Sequence, residues 1–319
     1  MTDYIIKTEE LTKRYGSQIR VEQVNLHVPK GKIYGLLGQN GAGKTTIMKM
    51  FLRLIRPSSG KMILFGKECI ISTDKNYRRI GSFIEGPGFY ENLTAWENLE
   101  ILARLRGRHR KDTVERALSI VGLEQTGEKA FGKFSLGMKQ RLGIAAALMH
   151  EPELLILDEP INGLDPMGIY KIRNYLMQLK KEGVTVFVSG HILNEIEQIA
   201  DWIGLMYKGK LLEEMDLNEL RKINRNYIEF EVSDINRAAL VLEQQFQIFD
   251  YKIMDSFRLR IFEQMEKRGE MNKKLVENGV IVVNIRICEE KLEEYFAKRI
   301  QIQEKKENGR KEREPINWR

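Results

Sequence analysis

Cysteine is scarce in this sequence: two in 319 residues, Cys69 and Cys288, far apart and without the spacing of a metal site. That excludes a disulfide-built fold and fits a reducing cytosol. Long apolar runs are missing too. None approaches the ~20 residues that span a bilayer. The opening stretch, MTDYIIKTEELTKRYG, has no apolar centre of signal-peptide length. The expectation is a cytoplasmic chain that reaches a membrane only through a partner. Nor does one sign of charge dominate. The net charge is +7 and the pI about 9.1, yet bases and acids are interleaved along most of the chain. A solvated mixed surface follows, and no nucleic-acid partner is expected.

What remains is the composition of an ordinary globular protein, 42% hydrophobic and 30% charged. At 319 residues the chain is long for one core, so two domains are expected. Residues 1–34 read as short strands, with Pro29-Lys30-Gly31 as a turn. Residues 32–37 form an apolar run ending at Gly38, the pattern of a buried strand. From Lys44 the period becomes helical: Ile47, Met50, Phe51, Leu54 and Ile55 share one face until Pro57-Ser58-Ser59-Gly60 stops the helix. Residues 92–150 are mostly helical. Two buried-type strands follow, 154–157 and 184–188, with a helix between them, which argues for a parallel sheet.

Past about residue 215 the character changes. Ile228, Phe230 and Val232 alternate with charges, as do Phe257, Leu259 and Ile261. A charged helix at about 263–278, a strand at 280–287 and a helix at about 289–300 complete a small α+β domain. The expected divisions are 1–215, 216–300, and a charged, frayed tail at 301–319.

Two motifs carry the chemistry. Gly38-Gln39-Asn40-Gly41-Ala42-Gly43-Lys44-Thr45-Thr46 matches GxxxxGK[ST], after a strand and before a helix. Glycines let the backbone curl so that N–H groups face phosphates, and the helix N-terminus adds its dipole. Lys44 supplies a point charge at the β- and γ-phosphates, and the Thr45 hydroxyl suits Mg²⁺. The second motif is an apolar strand ending in Asp158-Glu159-Pro160. Asp158 can hold Mg²⁺ and Glu159 can polarise an attacking water as general base. A chance glycine turn and an acidic strand end are the bland alternatives, and the pairing of the two motifs argues against both. Together they define a P-loop NTPase, which takes a nucleoside triphosphate with Mg²⁺, but not which one.

A third motif decides which kind. Phe134-Ser135-Leu136-Gly137-Met138-Lys139-Gln140-Arg141 resembles the LSGGQ signature of ABC ATPases, with Leu136 for a Gly and Met138 for the Gln. In that family Ser135 and Gly137 would grip the γ-phosphate held by the other subunit's P-loop. Three further segments fall in the family's order. Asn162-Gly163-Leu164-Asp165 resembles the D-loop, His191 the switch histidine at the γ-phosphate, and Tyr15 the aromatic that stacks on adenine. Glu85 stands where the family carries a Gln that touches Mg²⁺ and the lytic water. The resemblance implies an α/β fold: a P-loop NTPase with a RecA-like core, an antiparallel β subdomain and a helical subdomain, followed here by the small α+β domain.

Segment 84–99 and the C-terminal portion resemble the ATP-binding subunits of bacitracin- and lantibiotic-type export or immunity transporters. That implies an ATPase, peripheral on the inner face of the membrane, working as a homodimer with a separate ABC permease. Phe89, Tyr90 and Trp96 are the aromatic anchors expected to meet that permease. Two other readings stay open: a soluble ABC ATPase acting on ribosomes or DNA, and a nucleotide-dependent regulatory module.

Overall fold

In the computed structural model, residues 3–69, 75–86, 88–107, 111–223, 226–289 and 292–311 are described. The chain folds as two compact units, Met1–Leu217 and Asn218–Arg319.

The first unit opens with β1 (Tyr4–Tyr15), β2 (Gln18–Val24), β3 (His27–Pro29) and β4 (Ile33–Leu37), then α1 (Lys44–Phe51), β5 (Ser59–Leu64), β6 (Lys67–Glu68) and β7 (Ile80–Phe83). Three helices follow, α2 (Ala95–Leu105), α3 (Lys111–Ile120) and α4 (Leu136–Leu148). The unit ends with β8 (Leu154–Leu157), α5 (Pro166–Lys181), β9 (Thr185–Gly190), α6 (Leu193–Glu197), β10 (Trp202–Tyr207) and β11 (Lys210–Asp216).

β1, β2, β3, β5 and β6 make an antiparallel sheet. The second sheet runs β11-β10-β4-β9-β8-β7, parallel from β10 to β7, with β11 antiparallel at its edge. Every residue of β4, β8 and β9 is buried. This is why these strands read as unbroken apolar runs: a parallel strand covered on both faces has no solvent side to mark by alternation. α1 buries Ile47, Met48, Met50 and Phe51 between the two sheets.

α1 is shorter than its apolar period suggests. Leu52 caps it, and Arg53 takes a left-handed backbone, φ 57, the geometry that ends a helix. Leu54 is therefore exposed, while Ile55 packs on the core from the turn beyond.

The second unit carries α7 (Leu217–Ile223, which begins at the last residue of the first unit), β12 (Asn226–Val232), α8 (Ile235–Phe246), β13 (Tyr251–Ile253), β14 (Arg258–Ile261), α9 (Arg268–Glu277), β15 (Val282–Glu289) and α10 (Leu292–Lys311). Its antiparallel sheet, β13-β14-β12-β15, packs Ile228, Phe230, Leu259 and Ile261 against Val241 and Leu242 of α8 and Met271 and Leu275 of α9. The strand expected at 280–287 begins two residues later, because Val280 is spent on that core. The tail expected to fray from residue 301 is helical through Lys311, and 312–319 lie outside the described residues. Gln, Glu and Lys are good helix formers, so propensity extends α10 where no apolar face does.

Candidate active site

The register of the second sheet sets the site. Four neighbouring parallel strands end on one side: β4 leads to residues 38–46, β9 to Ser189 and His191, β8 to Asp158 and Glu159, and β7 to Glu85. The ends of adjacent parallel strands are where open α/β sheets form their crevices.

The loop after β4 is shaped by space. A Cβ on Gly38 would meet Met206 O at 2.6 Å, and one on Gly43, at φ 106, would meet Arg20 O at 2.8 Å. α1 starts at Lys44 with no side-chain cap, so its first N–H groups remain available to an anion. Ala42 is buried and its N–H closes the loop onto Gln39 O at 3.1 Å. Lys44 is 5% exposed; its Nζ donates to Gly38 O at 2.7 Å and Gln39 O at 3.2 Å, and lies 3.4 Å from Glu159 Oε1. The cavity above is lined by Asn40, Gly41 and residues 43–46, with Tyr15, Arg20 and Glu159. Tyr15 is half exposed, with Lys13 Nζ 4.8 Å over its ring.

The acidic side meets this loop directly. Thr45 Oγ1 donates to Asp158 Oδ2 at 2.7 Å, so the two expected metal-binding groups already converge. Glu159 has a left-handed backbone, φ 46, and a carboxylate set among three donors. Lys44 faces Oε1, while His191 Nδ1 and Asn162 Nδ2 each lie 3.2 Å from Oε2. A carboxylate set among Lys44, His191 and Asn162 beside a polar cavity is placed to accept a proton from water.

The remaining expected residues fall nearby but serve other contacts. Glu85 pairs with Lys49 of α1 at 2.6 Å and borders a cleft shared with Asp158 and Glu159. Ser135 caps α4, its hydroxyl accepting from Met138 N at 3.3 Å, which leaves the hydroxyl proton free to donate elsewhere. Leu136 is 68% exposed, and Gly137 lies against Gly163 and Leu164. The residues lining the loop cavity do not include 135–138. Asp165 caps α5 by accepting from Gly168 N at 3.1 Å.

The comparisons bear on this arrangement. The family model described as "ABC transporter" matches residues 21–162. The bacitracin transport ATP-binding protein BcrA of Enterococcus faecalis is 54% identical over 299 residues, 93% of this chain and 97% of its own length. The chain belongs to the ATP-binding subunits of ABC transporters. The lantibiotic transport ATP-binding protein SrtF of Streptococcus pyogenes is 43% identical over 71% of this chain and 99% of its own. A solved dimeric bacterial ABC transporter cassette superposes with a TM-score of 0.62 at 28% identity, over 66% of this chain and 98% of that one. The fold expected from the three motifs is the fold found, and the activity of this ABC subunit is ATP hydrolysis.

Sequence reasoning missed several groups that build the ABC site. Ser189 is fully buried; its hydroxyl donates to Asp158 Oδ1 at 2.6 Å and accepts from Glu159 N at 2.9 Å. Gln140 reaches from α4 to Glu159 O at 2.7 Å. Arg20 lines the cavity from β2. The one available signal was that Ser189 is a polar residue ending an otherwise apolar run, while Gln140, between Lys139 and Arg141, gave none.

Proposed function

We propose that two copies of this chain trap two ATP molecules head to tail, hydrolyse them, and thereby drive export of a peptide antibiotic through a separate permease. The observation that carries this is the convergence of Lys44, Thr45, Asp158, Glu159, Ser189 and His191 at the ends of adjacent parallel strands. Lys44 exchanges its loop carbonyl partners for phosphate oxygens. Glu159 takes the proton from the attacking water, with His191 and Asn162 fixing its carboxylate. Tyr15 offers its ring to the adenine.

Two hard oxygen donors meeting at 2.7 Å, Thr45 and Asp158, fit Mg²⁺, with Glu85 as a further carboxylate beside them. Bound there, Mg²⁺ would add positive charge at the phosphates.

The dimer is supported by stoichiometry. Each chain has one P-loop and one signature, and Ser135 and Leu136 stand exposed. A signature that grips only the ATP-bound state supplies the differential contact that shifts a conformational equilibrium. The dimeric solved cassette supports the same reading.

No helix among the described residues is long and apolar enough to cross a membrane. A permease would therefore hold the chain peripherally on the inner face, with Tyr90, 60% exposed, as its most open aromatic contact. Phe89 is edge-on to Phe131 at 5.2 Å, so it supports that surface more than it projects from it. The substrate class rests on the bacitracin and lantibiotic transport named for the relatives.

Glu159→Gln tests the chemistry. It should keep ATP affinity and lower kcat by at least ~100-fold, the scale of a lost general base; full turnover would refute the assignment. Coexpression with a candidate ABC permease tests the transport. Wild-type cells should withstand bacitracin or a lantibiotic better than E159Q cells, and equal sensitivity would contradict the export reading.

A further inference from the structure

Glu85 replaces an amide with a charge, and the fold supplies that charge with a counter-ion. Glu85 stands two residues beyond the end of β7, as Glu159 stands two residues beyond the end of β8. These strands pair in parallel with Phe83 opposite Leu157, so the two glutamates hold equivalent positions on neighbouring strands. Both have left-handed backbones, φ 59 and φ 46, and both border one cleft with Asp158. Three carboxylates around one site would repel an anionic nucleotide.

Lys49 answers that repulsion. It lies on α1 one turn beyond Thr45, so the helix that begins at Lys44 carries it toward β7. Its Nζ donates to Glu85 Oε1 at 2.6 Å. Among the described residues, no other ion pair is formed by Glu85. The pair is neutral overall, as an amide would be, yet keeps an oxygen donor facing the cleft.

We propose that Lys49 is a positioning residue of the nucleotide site, which neutralises Glu85 and ties its loop to α1 so that a Glu–Lys pair does the work of one Gln. This rests on the ATPase reading above. Lys49 does not line the cavity at the P-loop; it acts through Glu85. The prediction is therefore one of charge balance: Lys49 matters only while residue 85 is charged.

A double-mutant cycle on the full chain reads this directly. ATP affinity and kcat/KM are measured for wild type, K49M, K49R, E85Q and K49M/E85Q. K49M should lose about five- to tenfold in both, the scale of coupling between contacting residues. K49R should stay within about twofold of wild type. In the E85Q background, removing Lys49 should cost nothing. Unfolding midpoints should move little, because an exposed ion pair adds little stability. An equal loss from K49M in both backgrounds, or none in either, would overturn the proposal. Failure of the ATPase reading would look different: wild type without turnover, or E159Q as active as wild type. The affinity measurements would still report on the pair in that case.

Discussion

Glu159 is already held on three sides by Lys44, His191 and Asn162, and its backbone N–H is tied to Ser189. Ser189 orients both acids at once, since the same hydroxyl donates to Asp158. Ser189→Ala removes both bonds inside a fully buried setting and should cost about 1–3 kcal/mol of stability. It should also lower kcat by about tenfold, the rate equivalent of ~1.4 kcal/mol. Steady-state ATPase assays and thermal unfolding check this; an unchanged kcat would mean that the acids position themselves. Lys44, Thr45, Asp158 and Glu159 were singled out by spaced motifs, and the fold brings them together. Ser189 was not, because one hydroxyl inside the run VTVFVSG looks like strand composition until a carboxylate is placed 2.6 Å away. Glu85 was readable as a departure, but its partner Lys49 was invisible, since only the fold brings α1 to the loop after β7.

Loops next to the site are fixed by the elements that follow them. The segment before α2 is pinned by Asn98, 2% exposed, which accepts from Tyr90 N at 2.8 Å and donates to Tyr90 O at 3.1 Å and Thr94 O at 2.9 Å. Thr94 and Glu97 add a capping box at the same turn. Asn98→Ala removes these side-chain bonds from the turn and should cost about 1–3 kcal/mol. Hydrogen exchange across 88–94 should speed up while ATP affinity holds; unchanged exchange there would contradict the role of Asn98. Helices α2, α3 and α4 fall in the stretch 92–150 that reads as mostly helical. The end of α1 was not, because its apolar stripe continues into a turn that Arg53 starts. The length of α10 was missed for the opposite reason, since it rests on propensity without a core face.

The second unit shows how charge placement enters the stability of the whole chain. Glu229 is buried on β12 and pairs across strands with Arg260 of β14 and Arg286 of β15, at 3.0 and 2.6 Å. Burial alone would raise its pKa, but the hydrogen bonds and charges of the two arginines outweigh burial and hold it below the usual carboxylate range. A carboxylate lowered in the folded state stabilises above its ordinary titration near pH ~4.3, and that stability is lost as pH falls through the folded value. Acid below pH ~4 should therefore loosen this sheet. Glu229→Gln should cost about 1.5–3 kcal/mol at neutral pH, the scale of hydrogen bonds to a charged group, since Arg260 keeps Glu294 at 3.0 Å and Arg286 is half exposed. It should also flatten the acid dependence of hydrogen exchange in β12. Equal acid dependence in E229Q would assign the effect elsewhere.

The most direct test of the sandwiched dimer is a structure of E159Q with ATP, together with its sedimentation mass. We expect twice 37.2 kDa, with Ser135 of one copy within hydrogen-bond distance of the terminal phosphate held at Lys44 of its partner. A monomer, or a dimer whose Ser135 lies far from every phosphate, would contradict it.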